Sequence, residues 1–340
     1  MRIDAFELEV LPGLEELCAQ EAAEKLGDQL AVTGLRRGAV SVEPTVDADA
    51  LCTLRTANAV YAVVTALVPR PKSLLGHQHW TRIVSACREI VRSDPAFRTL
   101  GIDAAGAQSS VMQRIKSELA ESLGLVATDE KGDLLIRIRL VHEGNGWQVL
   151  IRLTPRPRAT RSWRIHNYEG ALNACVAAAM IRLVRPTPAD HVLNLCCGSG
   201  TLMVELGQAY AVQQCMGVDI NTHALSLASA HLAAAQITAY SLSAGDGTAL
   251  PLPSSSMSLI MADLPFGQLV GSHAENLVLY PALMDEAARV AKIGARFVLI
   301  THEKRLIQHI VRDHPVWKPV QTLEINQNGL HPLIVVLERR

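Results

Sequence analysis

Apolar residues in the second half of the chain come in short runs of strand length, separated by stretches with apolar positions every three or four residues. The runs predict strands and the stretches between them predict crossover helices. The strands are predicted at residues 191–195, 214–218, 241–242 with their neighbours, 258–262, 296–301 and 333–337, and the clearest helices at 202–206, 222–235 and 277–292. This alternation indicates βαβ units, so we predict an α/β domain whose sheet carries helices on both faces.

The first half of the chain has a different pattern, in which strand and helix signals are shorter and less regular. Strands are predicted at residues 6–10, 38–42, 97–102, 134–141 and 147–153, and helices at 14–26, 47–55, 79–91 and 109–123. Short strands and helices in this mixture are typical of small α+β domains. We therefore predict domains at residues 1–61 and 62–155, a linker at 156–175 and the α/β domain at 176–340.

The composition argues against a membrane-spanning, secreted or metal-binding protein. No apolar run in the 340 residues reaches the roughly 18 needed to cross a bilayer, and the start of the chain has no signal-peptide core. We therefore expect a cytoplasmic protein without a membrane segment. The seven cysteines show no metal-binding spacing, so we expect reduced thiols and no metal site.

The net charge of −1 hides a basic middle segment. Residues 62–165 hold 16 Lys and Arg against 9 Asp and Glu, a surplus of +7, whereas residues 1–61 hold 5 against 11. Positive charge of this kind favours phosphate binding, although a solvated basic surface is an equally good interpretation of charge alone. The proline-broken run at 152–164 predicts an extended, RNA-contacting linker. The predicted RNA contacts are Arg137, Arg139, Arg152, Arg156, Arg158, Arg161 and Arg164.

A glycine-rich turn follows the strand at 191–195, in the order Cys197-Gly198-Ser199-Gly200-Thr201. Such a turn lets backbone N–H groups approach a ligand at a helix N-terminus. Asp219 ends the next strand, where a carboxylate can accept both hydroxyls of a ribose. A third glycine, as in dinucleotide sites, is missing, which favours S-adenosylmethionine over NAD. Asp246 is a candidate for the adenine amine.

The pentapeptide Asp263-Leu264-Pro265-Phe266-Gly267 ends the fourth predicted strand of this domain. A base amine is a poor nucleophile and must be held in line with the methyl group. Asp263 and the carbonyl of Leu264 or Pro265 can accept its two N–H groups, and Phe266 can stack on the base. The pattern predicts an amine methyltransferase.

These motifs together resemble the THUMP-containing guanine-N2 group of class I S-adenosylmethionine methyltransferases. The opening Leu11-Pro12-Gly13 and the segment 168–173 are similar to these proteins as well. The resemblance implies a Rossmann-like methyltransferase domain preceded by a ferredoxin-like domain (1–61) and a THUMP RNA-binding domain (62–155). It also implies a donor site made of Ala171, Leu172, Asn194, Cys196, Gly198, Ser199, Gly200, Thr201, Asp219, Ile220, Asp246, Gly247 and Asp263.

Two positions depart from the family pattern. Asn194 stands where an aspartate is common, and Leu264 replaces the first proline of the acceptor motif, a variant that resembles enzymes acting on the tRNA acceptor stem. The resemblance implies N2-methylation of a guanosine in the acceptor stem, with contacts to the 3′ end of tRNA. Two alternatives stay open. One is methylation of another amide-like nitrogen, in ribosomal guanine, DNA adenine or a protein glutamine, and the other is an RNA-binding protein with a weakened donor fold.

Overall fold

The structure is a computed structural model that describes residues 3–27, 30–141, 145–265, 272–327 and 329–340. It divides into two compact units. The first unit holds residues up to Val10 and Glu15–Ala159, and the second holds Leu11–Leu14 and Thr160–Arg340. Within the second unit, the Pro12 carbonyl accepts a hydrogen bond from the Asn326 N–H at 2.8 Å.

The first unit is an α+β structure around one sheet. Its strands are β1 (Ala5–Glu9), β2 (Val32–Arg36), β3 (Ala39–Val42), β4 (Ala59–Ala66), β5 (Thr99–Ala104), β6 (Val126–Ala127), β7 (Leu134–Leu140) and β8 (Trp147–Arg152), in the order β2-β3-β1-β4-β8-β7-β5-β6 among the described residues. Its helices are α1 (Glu15–Leu26), α2 (Ala48–Leu51), α3 (His77–Ser93) and α4 (Ser110–Leu123), with a 3-10 turn at Pro71–Leu75.

The predicted domain boundary between residues 61 and 62 lies inside β4, and one sheet continues across it. The structure therefore does not divide the chain at that point. Nearly every residue of β4 is buried, so both faces are apolar and the alternation that marks a half-exposed strand is missing. That the two parts are ferredoxin-like and THUMP domains stays a prediction.

The second unit is built on a largely parallel sheet with crossover helices. Its strands are β9 (His191–Leu195), β10 (Gln214–Asp219), β11 (Tyr240–Ala244), β12 (Met257–Asp263), β13 (Ala291–Thr301), β14 (Trp317–Glu324) and β15 (Leu333–Arg339). Its helices are α5 (Ala174–Val184), α6 (Thr201–Ala209), α7 (Thr222–Ala234), α8 (His273–Val290) and α9 (Lys304–Asp313).

The strand order in the described part of this unit is β11-β10-β9-β12-β13-β15-β14, and only β15 runs antiparallel to its neighbours. The order reverses between β9 and β12, which is the switch point where open α/β sheets bind ligands outside the carboxyl ends of the strands. The predicted α/β class and Rossmann-like sheet are confirmed.

Helix α7 begins after Asn221, whose side chain accepts the N–H groups of His223 and Ala224. Two predicted details of the second unit are wrong. Helix α8 ends at Val290 because Ala291 already pairs with β12. Residues 160–173 of the predicted linker belong to the compact second unit.

Candidate active site

A cavity of about 410 Å³ opens at the switch point of the second unit, beside the carboxyl ends of β9, β10 and β12. It is lined by eleven of the thirteen residues predicted for donor binding: Ala171, Leu172, Cys196, Gly198, Ser199, Thr201, Asp219, Ile220, Asp246, Gly247 and Asp263. The fold therefore brings five separate stretches of the sequence to one place. Other lining residues include Tyr168, Asn221, Leu279 and Leu283, which the sequence patterns did not single out.

Asn194 and Gly200 are the two predicted residues that do not line the cavity. Asn194 is fully buried in β9, and its amide N–H donates to the Met261 carbonyl at 3.2 Å, which ties β9 to β12. Gly200 has a φ of +79°, and a Cβ there would lie 3.0 Å from the Cβ of Ala228 in α7. Both residues therefore contact the strands and helix that form the site, and do not themselves line the cavity.

The carboxylate of Asp219 organises one end of the cavity. One oxygen accepts the Gly198 N–H at 2.7 Å and the other accepts the Asn221 N–H at 2.9 Å. These bonds fix the glycine-rich turn and the start of α7 around a half-buried acid. Each carboxylate oxygen has a second lone pair, so Asp219 can still accept hydroxyl groups from a ligand.

The next wall of the cavity is formed by residues that follow β10 and β11. Ile220, next to Asp219, contributes an apolar side chain to the lining and is 78% exposed. The exposed Asp246 accepts hydrogen bonds from the N–H and the hydroxyl of Thr248, which lower its pKa and keep it ionised. A Cβ on Gly247 would lie 2.9 Å from side-chain methyl groups of Leu195 and Leu283, so a larger residue there would require both leucine side chains to shift.

Residues 161–172, here called the wall segment, close a further side of the cavity through Tyr168, Ala171 and Leu172. Two predicted RNA-binding residues hold this segment in place. Arg161 forms a buried bidentate ion pair with Glu205 of α6, at 2.9 and 3.2 Å. The Arg164 guanidinium donates to the Leu172 carbonyl at 2.8 Å and to the Thr201 hydroxyl at 3.0 Å.

The prediction that Arg161 binds RNA is therefore wrong, because its guanidinium is buried against a carboxylate. Burial also lowers the pKa of Arg164, whose Nη2 makes both of these hydrogen bonds inside the second unit. Arg161 and Arg164 therefore hold the wall segment in position.

Asp263 stands at the end of β12, facing the cavity. The residue is half-buried as a whole, but its Oδ1 atom is buried and has no hydrogen-bond partner among the described residues. Burial raises the pKa of its carboxyl from 3.8 to about 8. An unpaired, desolvated carboxyl oxygen is costly, and such groups gather where a ligand donor is to be received.

The following Pro265 carbonyl is already engaged. It accepts the Tyr280 hydroxyl at 2.7 Å and the Asn276 amide at 3.2 Å, both from α8. Tyr280 also contacts the Thr301 hydroxyl at 2.7 Å, and its buried side chain is held from both sides. Of the two predicted carbonyl acceptors for a base amine, Leu264 therefore remains. The predicted stacking residue Phe266 lies outside the described residues.

The remaining predicted RNA contacts lie in the first unit, and most are engaged there. Arg152 is 3% exposed and donates to four backbone carbonyls, so the prediction that it contacts phosphate is wrong. Arg137 pairs with Glu9 and Asp103, and Arg139 pairs with Glu7. Of the others, Arg158 is half-buried and Arg156 is exposed.

Comparison with known families decides the class of this domain. A family model described as UPF0020: RMKL-like, methyltransferase domain matches residues 161–332. The chain belongs to this family. The match includes the wall segment, the glycine-rich turn and Asp263, so every residue that lines the cavity lies in the methyltransferase domain.

Curated relatives resemble the chain over about half its length. It is 31% identical over 182 residues to tRNA (guanine(6)-N(2))-methyltransferase THUMP3 of Bos taurus, a match covering 49% of this chain and 36% of the relative. It is 29% identical over 165 residues to U6 snRNA (guanine-N(2))-methyltransferase THUMPD2 of Mus musculus, covering 48% and 30%. The matches thus span only about a third of these relatives.

Solved structures share the fold over the whole chain. TrmN from Thermus thermophilus has a TM-score of 0.77 at 22% identity and covers 99% of both chains. SMU.472, described as a putative methyltransferase complexed with SAH, has a TM-score of 0.71 at 15% identity, covering 99% of this chain and 98% of the other.

In the described part of the chain, no helix is long and apolar enough to cross a membrane. The same residues contain no group of three or more His, Cys, Asp or Glu side chains that could hold a metal ion.

Proposed function

We propose that this protein uses S-adenosylmethionine to methylate the exocyclic N2 amine of a guanosine in RNA, with tRNA as the substrate. The observation that carries the proposal is Asp263, which lines the cavity beside the glycine-rich turn and whose Oδ1 is buried without a hydrogen-bond partner in the described part of the chain. An amine with two N–H groups is the ligand that such an oxygen and a neighbouring carbonyl can receive.

The lining of the cavity fits the methyl donor. Asp219 would accept ribose hydroxyls, and the exposed Ile220 beside it would offer an apolar surface to the adenine. Backbone N–H groups of the turn 197–201 and the wall residues Ala171 and Leu172 would hold the methionine end. When bound, S-adenosylmethionine supplies an electrophilic methyl group on a sulfonium.

Asp263 and the Leu264 carbonyl would orient the guanine amine toward that methyl group. Transfer of the methyl group to the amine would leave a surplus proton on the nitrogen. Because burial raises the pKa of Asp263 to about 8, its ionised form, which predominates above about that pH, can accept this proton. Tyr280 holds the Pro265 carbonyl and thereby fixes the loop that carries both acceptors.

Contacts to RNA phosphates are proposed for exposed basic side chains of the first unit. Besides Arg156, these are Arg70, Lys72, Arg92 and Arg98, which sequence reasoning did not select. The guanine-N2 substrates named for the relatives and the surplus charge of the middle segment support an RNA substrate. We further propose that the acceptor stem and 3′ end of tRNA are the bound parts, and that the protein acts in the cytoplasm.

The test is transfer from labelled S-adenosylmethionine to unmodified tRNA, with the labelled nucleoside identified by mass spectrometry. N2-methylguanosine, mapped to one position, is the expected product. Parallel reactions with U6 snRNA and ribosomal RNA transcripts, and with the Asp263→Ala protein, serve as substrate and catalytic controls. A different methylated nucleoside would refute the guanine assignment, and failure of the wild-type protein to bind the donor would refute the enzymatic one.

A further inference from the structure

One buried histidine touches two parts of the cavity that are far apart in sequence. His231, in α7, is fully buried. Its Nδ1 lies 3.0 Å from the Ser199 carbonyl in the glycine-rich turn. Its Nε2 lies 3.3 Å from the backbone nitrogen of His166 and 3.2 Å from the His166 carbonyl, in the wall segment. A carbonyl only accepts hydrogen bonds, so Nδ1 carries a proton and donates to Ser199.

The surroundings of His231 make this bridge rigid. The ring of Trp163 meets the His231 ring edge-on, with 5.6 Å between centroids, and Trp163 is itself 2% exposed. The His166 ring lies 6.1 Å away on another side. Packing of this kind leaves the imidazole few alternative rotamers, so its two nitrogens stay aimed at their backbone partners.

The two bridged parts both form walls of the cavity. Ser199 lines it in the turn, and the wall segment lines it two to six residues after His166. The wall segment has no regular helix or strand of its own before α5. Its position relative to the turn is therefore set by side chains, namely His231 together with the Arg161–Glu205 pair and the Arg164 contacts.

We infer that His231 is a positioning residue for the methyl donor: it locks the wall segment to the glycine-rich turn, so that both sides of the cavity are preformed before the donor arrives. The inference rests on the proposed function. His231 does not line the cavity and acts only through the backbone of Ser199 and His166. Preformed walls lower the ordering cost of binding, so losing the lock should weaken donor affinity more than it slows transfer.

Two variants each keep one of the two imidazole contacts and remove the other. In His231→Asn the amide nitrogen can take the place of Nδ1 and keep the bond to Ser199, while the contact with His166 is lost. In His231→Gln the longer side chain reaches the place of Nε2 and keeps His166, while the bond to Ser199 is lost. A bridge needs both ends, so both variants should bind S-adenosylmethionine about 3- to 10-fold more weakly by calorimetry, the scale of one neutral hydrogen bond.

Two further readouts and two further variants separate positioning from general stability. The kcat at saturating donor should stay within about 2-fold of wild type, and hydrogen exchange of residues 166–172 should become faster in both variants. The exposed His309, in α9, provides the matched control, and His309→Gln should change none of these quantities. The half-buried Arg164 ties the same wall to the same turn, so Arg164→Gln should reproduce the pattern even if the His231 variants fold poorly.

Unchanged donor affinity in both His231 variants, or weakening in only one of them, would refute the inference that His231 holds the wall segment to the glycine-rich turn. A lower melting temperature with wild-type donor affinity would do the same, because it would show a purely structural role. If the wild-type protein itself fails to bind S-adenosylmethionine, the proposed function fails, and hydrogen exchange of residues 166–172 alone then decides whether His231 holds the wall.

Discussion

The buried carboxyl group of Asp263 should lower the unfolding free energy of the methyltransferase domain near neutral pH. Its pKa is raised from 3.8 to about 8 by burial, and its Oδ1 has no partner among the described residues. Below about pH 4 the native and unfolded states both hold the proton. Between about pH 4 and pH 8 the unfolded chain releases it while the native state retains it, so unfolding becomes more favourable as pH rises.

The magnitude follows from the size of this window. Each unit of pKa difference corresponds to about 1.4 kcal/mol, so the methyltransferase domain should lose about 3 kcal/mol between pH 5 and pH 7.5 through this group alone. Asp263→Asn removes the titration and keeps the shape of the side chain. The difference in unfolding free energy between variant and wild type should therefore grow by about that amount over the same range, in favour of the variant.

The chain has two compact units, so the measurement must report on the second one. Urea-dependent hydrogen exchange of peptides from β9 and β12, read by mass spectrometry at several pH values, gives that local unfolding free energy. Transfer activity should be lost in the same variant, because an amide cannot take up the amine proton. For wild type, kcat/KM should rise with pH through the pKa of the free carboxyl, near 8. A stability difference independent of pH would show that Asp263 is not desolvated as described.

Four further variants test the site and the arginines of the first unit. Tyr280→Phe removes the hydroxyl that holds the Pro265 carbonyl, and should lower kcat several-fold while the donor dissociation constant measured by calorimetry stays the same. Asp219→Ala should weaken donor binding by roughly 1.5–3 kcal/mol, and an unchanged constant would remove Asp219 from the donor site. Arg152→Ala should destabilise the first unit by roughly 3 kcal/mol, whereas Arg156→Ala should leave stability unchanged and lower the salt dependence of tRNA binding in a filter assay.

Sequence reasoning located the site residues that lie at the ends of strands, because the local sequence pattern is enough to predict their positions. Gly198 and Asp219 each follow a strand, and the carboxyl ends of neighbouring parallel strands meet at one edge of a sheet. Position along the pattern was therefore enough to predict that they share a cavity. Asp263 was found for the same reason, since it ends β12 next to β9.

The residues that sequence reasoning missed act across long stretches of chain. Tyr280 reaches Pro265 from 15 residues away, and His231 reaches His166 from 65 residues away. Their own neighbourhoods look like ordinary helix sequence. Helix α5 was missed for another reason: it is buried on nearly every side, so it lacks the polar face that makes a helix periodic.

The arginine-rich run at 152–164 shows why charge alone predicted the wrong contacts. Its two prolines have no N–H and prevent regular pairing, which leaves irregular backbone whose carbonyls still need donors. A guanidinium has five N–H groups and can supply several carbonyls at once. Arg152 does this for Thr154, Pro155, Gly132 and Asp133. An Arg-Pro run that joins two compact units is thus as consistent with internal capping of an irregular segment as with phosphate binding. Burial decides between the two, and it leaves Arg156 as the fully exposed member of the predicted RNA contacts.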